Sequence, residues 1–232
     1  RRRPRPKGVA LGILVVAIAV TGLGLYLWLV SGLPAVDDLS GYTAMPSSYV
    51  YDRYGRLLFE MLPPHTGSHS SVPLAEMPEA LRQATIATED ANFYTNPGVD
   101  AVAIIRALWI NLRGGEILSG GSTITQQLAR NLLLSPEERY EQTLKRKLRE
   151  AILAWRLTKH YTKDEILTLY LNEIYYGNLA YGVQAAAQAY FDKDVRDLDL
   201  AECALLAGLP QSPPYYNPLD NLKAAKVRQA IV

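Results

Sequence analysis

Ser135-Pro136-Glu137-Glu138-Arg139-Tyr140-Glu141-Gln142-Thr143-Leu144-Lys145-Arg146-Lys147-Leu148-Arg149-Glu150-Ala151-Ile152-Leu153-Ala154-Trp155-Arg156-Leu157-Thr158-Lys159-His160 is the stretch on which the fold turns. A serine three residues before a glutamate, with proline between them at the first helical position, is a helix start, and the spacing predicts one long helix to about His160. The same signal recurs downstream. Thr162-Lys163-Asp164-Glu165 opens a helix to Tyr176 before Gly177, and Asp199-Leu200-Ala201-Glu202 opens one that stops at Gly208-Leu209-Pro210. Upstream, Ser122 or Thr123 caps a helix to Leu134, and Asp100 to Leu112 is amphipathic and ended by Gly114-Gly115. Pro78 suits a first helical position, with Ala80 to Asp90 continuing the pattern. No internal repeat and no alternation of strands with helices is present. The expected class is mainly α, in a domain over residues 78–232.

The residues before 78 read differently. Residues 31–77 form an extended linker, in which Ser48-Tyr49-Val50-Tyr51 and the run to Phe59 around Gly55 predict a short hairpin. Pro63 to Ser70 is a loop by composition. His65 and His69 lie four apart within it, a ligand spacing only if helical, so both are expected in water with no third ligand near. Val9 to Val30 is uncharged throughout and long enough to cross a bilayer core of about 30 Å. Tyr26 and Trp28 stand at its end, where an aromatic belt belongs. A cleaved leader would need a shorter core and a small-residue cleavage site, and Gly32-Leu33-Pro34 is a poor one. The basic tail, residues 1–8, puts the N-terminus on the cytoplasmic side and everything after residue 33 outside. Net charge is +1, yet Arg1, Arg2, Arg3, Arg5 and Lys7 leave 19 basic against 23 acidic residues elsewhere, which offers no basic face to a nucleic acid. The one cysteine, Cys203, lies in an apolar run and reads as a small buried hydrophobe.

Four blocks carry candidate chemistry. Thr88-Glu89-Asp90-Ala91-Asn92-Phe93-Tyr94 puts two acids at the end of an apolar helix, where dipole and burial both disfavour negative charge. Glu89 there suits proton transfer from a sugar hydroxyl, although this segment alone favours an ordinary water-exposed acidic helix end. Gly120-Gly121-Ser122-Thr123-Ile124-Thr125-Gln126-Gln127-Leu128-Ala129-Arg130-Asn131 brings glycines, hydroxyls, amides and a cation to a helix start, suited to sugar hydroxyls and a phosphate. A polar helix face with a hinge reads the same. Adjacent Gln126 and Gln127 cannot share one face, so at least one is free for a structural role. In Lys145-Arg146-Lys147-Leu148-Arg149-Glu150, Arg146 and Lys147 share a helix side with Glu150. Such cations ease departure of a pyrophosphate, and such a carboxylate can hold a divalent metal, Mg2+ or Mn2+. A salt-bridged surface helix has the same pattern. In Lys163 to Asn172 the apolar stripe is core, leaving Lys163 and Asn172 as functional, capping or turn residues.

Glu-Asp-x-x-Phe, Gly-x-Ser-Thr-x-x-Gln-Gln, Arg-Lys-x-x-Glu and Lys-x-x-Ile-Leu-x-x-Tyr-Leu-Asn occur here in that order. Together they resemble the family 51 glycosyltransferases of class A penicillin-binding proteins and monofunctional transglycosylases, from about Tyr51 onward. Gly182 to Ala187 and Leu209 to Pro213 also look like this family. The resemblance implies a lysozyme-like fold with a small membrane-associated jaw lobe, about residues 99–135, whose Ile105, Leu108, Trp109 and Ile117 enter the lipid surface. It implies polymerisation of lipid II onto a growing lipid-linked glycan, with inversion and release of undecaprenyl pyrophosphate, in association with cell-wall synthesis machinery. Glu89 would be the general base and Glu150 part of the donor site. Arg130, Arg146 and Lys147 would lie near the pyrophosphate. Gly121, Ser122, Thr123, Gln126, Gln127 and Asn131 would line the donor cleft, with Asp90, Phe93, Lys163 and Asn172 in the remaining blocks. Two positions depart from the pattern. Asn96 stands where the family usually has histidine, which weakens any role for that side chain. Gln142 stands where a basic residue is frequent, with Arg139 one turn earlier as a stand-in.

A lysozyme-like hydrolase on the same fold is the alternative, although cutting a neutral glycan does not need the Arg130, Arg146 and Lys147 cations. A non-enzymatic scaffold would tolerate loss of Glu89. No Ser-x-x-Lys, Ser-Asp-Asn or Lys-Thr-Gly occurs, so a transpeptidase site is not in this sequence. The chain stops within what reads as a continuing helix, and the expectation is a piece of a longer bifunctional protein.

Overall fold

The computed structural model describes residues 6–39, 41–43, 47–62, 67–100 and 121–232. It is mostly helical. Helix α1, Pro6–Val30, leads, and its Gly12–Val30 segment is long and apolar enough to cross a membrane, with only 6% of the most apolar window buried. An antiparallel hairpin follows, β1 (Ser48–Tyr51) with β2 (Leu57–Met61), in the register Ser48↔Met61. Its turn is closed by Asp52, whose Oδ1 accepts from the N–H groups of Tyr54 (2.7 Å) and Arg56 (2.9 Å).

The helical body begins with α2, Glu79–Glu89, for which Pro78 is the cap and not the first helical residue. Helix α3, Ile124–Leu133, is its centre. Thr123 caps α3 in a complete capping box with Gln126, and eight of its ten residues are buried. It packs on α5 (Leu144–His160) and α6 (Lys163–Glu173), while α2 packs on α8 (Leu200–Gly208) and α8 on α10 (Leu222–Gln229). Leu81, Phe93, Ile124, Leu153, Leu157, Ile166, Leu171 and Leu206 are sealed from water in the shared core. Between α6 and α8 lie β4 (Tyr175–Gly177), β5 (Ala180–Tyr181) and α7 (Val183–Phe191), and α9 (Pro213–Tyr216) precedes α10. The capping boxes expected at Thr162/Glu165 and Asp199/Glu202 are both complete.

Three expectations from the sequence are corrected. The long helix from Pro136 is two: α4 stops at Arg139, and α5 starts afresh at Leu144 with the Thr143 hydroxyl accepting from Arg146 N–H at 3.2 Å. Residues 140–143 are all exposed, so no buried face holds a helix there. Glu138 does not fold back on its cap, and its carboxylate instead pairs with Arg149 (2.8 Å). Helix α6 ends at Glu173, short of Tyr176, because the Ile174 carbonyl accepts from Gly182 N–H (2.9 Å) and Tyr175 pairs with Tyr181. His69 is not in water. It is 2% exposed, because Ser68–His69 (β3) adds to β5 in parallel, and its Nε2 lies 3.3 Å from Glu173 Oε1. Helix α10 closes at Gln229.

The loop after α2 is pressed onto α5. Gly98 has φ +94°, and a Cβ there would meet the Ala154 carbonyl at 2.6 Å, so only glycine fits. Cys203 is buried as expected. The jaw expectation, with Ile105, Leu108, Trp109 and Ile117, and the helix expected after Asp100 fall on residues 101–120, outside the described residues.

Candidate active site

Glu89 is the last residue of α2. Its carboxylate accepts a 2.6 Å hydrogen bond from Gln127 Nε2, and Gln127 Oε1 in turn accepts from the buried Tyr170 hydroxyl at 3.2 Å. Helices α2, α3 and α6 thus each contribute one member to a chain ending on the acid. Burial raises the Glu89 pKa above the ordinary carboxylate value. The Gln127 bond and the charges of Arg228 and Arg130 oppose that rise, and Asp90 adds to it. Among the described residues no cation forms an ion pair with Glu89. The carboxylate is therefore half-buried and held by a neutral amide, a setting in which it can take and return a proton.

Asp90 builds the ground under Glu89. Both its oxygens accept from Asn96 Nδ2 (2.9 and 3.0 Å), and Oδ2 accepts from the N–H of Ile124 at the start of α3 (3.2 Å). Burial pushes its pKa up as well, against those same bonds and the Lys163 charge. Asn96 Oδ1 accepts from Gly98 N–H (2.9 Å) and from Lys163 Nζ (3.2 Å). The Lys163 ammonium also sits 4.7 Å from the Phe93 ring centroid, and its pKa is lowered by burial, with Asp90 opposing. Asn96, to which the sequence assigned a weakened role, is therefore the hub joining Asp90, the Gly98 loop and α6. Its link to α6 runs through Lys163, 67 residues on, which no local pattern announces.

A second cluster lies on α5. Glu150 is fully buried, with Arg146 Nη1 on Oε2 (2.6 Å) and Lys147 Nζ on Oε1 (2.7 Å). Lys147 Nζ also donates to Ser122 Oγ at 2.7 Å, tying the cluster to the segment that opens α3. Gly121 and Ser122 are half-buried there, and Arg130 and Asn131 are half-buried further along α3. A divalent ion does not fit this carboxylate. Both oxygens already hold cations, and among the described residues no group of three or more His, Cys, Asp or Glu side chains gathers to hold a metal.

Several expected binding residues serve the frame. Phe93 is 0% exposed, Thr123 and Gln126 are spent on their capping box, and Asn172 bonds both backbone groups of Val72 (2.9 and 3.0 Å). Of the two adjacent glutamines, Gln126 is the structural one and Gln127 faces the acid. Arg139 donates to the Leu134 carbonyl (2.9 Å), tying its guanidinium to the end of α3. Arg228, which the sequence did not single out, is a buried guanidinium whose Nε donates to the Gly208 carbonyl (3.3 Å) and whose charge acts on Glu89.

Residues 55–232 match the Transglycosylase family. The chain is 44% identical over 229 residues to penicillin-binding protein 1A of Aquifex aeolicus, covering 97% of this chain and 30% of that one. It is 44% identical over 211 residues to penicillin-binding protein 1A of Escherichia coli, covering 90% and 24%. A solved structure of penicillin-binding protein 1A from Haemophilus influenzae aligns over 80% of this chain and 17% of that one, at 27% identity and TM-score 0.42. The chain spans less than a third of the length of these relatives. With the four ordered motifs and the match over residues 55–232, the chain belongs to the Transglycosylase family and carries its peptidoglycan glycosyltransferase domain.

Proposed function

We propose that the chain polymerises lipid II, extending a lipid-linked glycan with Glu89 as general base. The Glu89 carboxylate takes the proton from the acceptor's 4-hydroxyl as that oxygen attacks the anomeric carbon of the donor. The bond from that carbon to the pyrophosphate breaks, its electron pair leaves with undecaprenyl pyrophosphate, and configuration inverts. Arg146 and Lys147 stabilise the charge that grows on the leaving group, joined by Arg130. Glu150 holds the two cations in place. No step is routed through a metal.

The observation that carries this reading is the contrast in setting. One acid is half-buried beside a neutral donor, and a separate pair of cations is fixed by a second acid. Helix α1 anchors the domain in the cytoplasmic membrane, with the basic N-terminus inside and the catalytic domain outside, within cell-wall synthesis machinery.

Labelled lipid II, incubated with the detergent-solubilised chain and with Glu89→Gln, tests it. A glycan ladder from the parent alone supports both synthase and base. A ladder from both keeps the synthase and removes Glu89 as base. Soluble fragments from purified sacculi, with no ladder, would replace the reading with a hydrolase.

A further inference from the structure

Helix α5 is apolar on the side where a surface helix is normally polar. Its inner face, Glu150, Leu153, Ala154 and Leu157, is buried in the body. On the opposite side Leu144, Leu148 and Trp155 recur at helical spacing, 75%, 40% and 51% exposed. Cations border this stripe, and the Lys159 ammonium lies 5.8 Å from the centroid of the Trp155 ring. An apolar line edged by lysine and arginine is the composition of a helix lying in a membrane interface.

The same helix meets the end of α1. The Lys145 ammonium sits 4.7 Å from the centroid of the Trp28 ring. The Arg149 guanidinium donates to the carbonyls of Ser31 (3.1 Å) and Gly32 (3.4 Å), just past the last turn of α1, and is held from behind by the Glu138 ion pair. Leu29 is buried, unlike its neighbours along α1. Tyr26 and Trp28 mark where a membrane-crossing α1 would leave the hydrocarbon. Lys145, stacked on Trp28, then lies among the headgroups, and Leu144 and Leu148 lie beside it.

We propose that the outer stripe of α5 rests on the lipid surface and that Lys145 and Arg149 fix its height. This rests on the reading of the chain as a membrane-anchored polymerase. Lys145 and Arg149 occupy one side of α5, and Arg146 and Glu150 follow about 100° round and about 1.5 Å along. The cation cluster is thereby set level with the headgroup layer, the level at which a lipid-borne pyrophosphate sits. Arg149 and Lys145 are positioning residues that act through the orientation of α5. The occupant is the bilayer, because the stripe continues from the exit of α1 and its border is cationic.

Two measurements on the full chain in phosphatidylethanolamine–phosphatidylglycerol vesicles test it. The first labels Leu148→Cys with an environment-sensitive fluorophore, Cys203 being buried, and uses the exposed Glu137→Cys as control. A blue-shifted emission at 148 that spin-labelled lipid quenches, and a water-like one at 137, are expected. Water-like emission at both overturns the contact and needs no catalysis. The second compares Arg149→Ala and Leu148→Glu/Trp155→Glu on membrane-borne lipid II and on a water-soluble short-prenyl analogue. A fall of about tenfold on the membrane substrate, with the soluble one changed less than about twofold, is expected. Equal falls on both substrates would mark a merely structural role, and no change on either would remove the height-setting role. A parent inactive on both substrates would sink the polymerase reading instead, leaving the fluorescence to decide the contact.

Discussion

Glu89 and Glu150 are the same residue type in opposite company. Glu89 ends a helix, half-buried, with one neutral amide on its carboxylate. Glu150 lies inside a helix, fully buried, with a cation on each oxygen. The difference divides the labour. A carboxylate with a cation on each oxygen fixes those cations in place, whereas one that is desolvated and bonded to a neutral amide is free to take and return a proton. Position in a motif does not distinguish them, but surroundings do.

The most direct way to break this contrast is Glu89→Gln. The side chain keeps its size and loses only the base, so the polymerisation rate should fall roughly 10²–10⁴-fold, with the melting temperature nearly unchanged. A comparable loss of stability would show that Glu89 is structural like its counterpart. Glu150→Gln should cost stability as well as rate. It leaves Arg146 and Lys147 beside a neutral amide and should cost about 3 kcal/mol of unfolding free energy, near the lower end for a broken buried pair because Lys147 reaches water. Urea denaturation reads it, and a fully stable Glu150→Gln would make Glu150 a purely catalytic group.

Two smaller changes sharpen the comparison. Asn96→Ala strips both Asp90 oxygens of their shared donor and frees the Gly98 and Lys163 contacts. About 1–3 kcal/mol of stability should go, read by thermal unfolding, because Asp90 stays buried without its partner. Gln127→Leu removes the bond that opposes the raised pKa of Glu89. The base is active as carboxylate, so kcat/KM rises with pH through its pKa. Losing the opposing bond should move that limb to higher pH, and an unmoved limb would show that another group sets it.

Local signals were the legible ones. Thr123, Thr162 and Asp199 cap helices because each partner is three residues away, within reach of any reading of the chain. The pairing of Arg146 and Lys147 with Glu150 was legible for the same reason. The break at residues 140–143 was not, since only the absence of burial there separates one helix from two. His69 needed β5, more than a hundred residues on, to leave water. Asn96 needed Lys163, and Arg228 needed the packing of α10 on α8 to bring its charge to bear on Glu89. Residue types and order sufficed for the family and for both acids, while the Asn96 hub that joins Asp90 to α6 existed only in three dimensions.

The burial of Cys203 has a redox consequence. Burial pushes its thiol up to about 11, so the thiolate is scarce at neutral pH. Thiolate is the form that attacks disulfides and oxidants, and here it is both scarce and enclosed. Cys203 is therefore shielded from disulfide exchange and from cross-linking to a second copy.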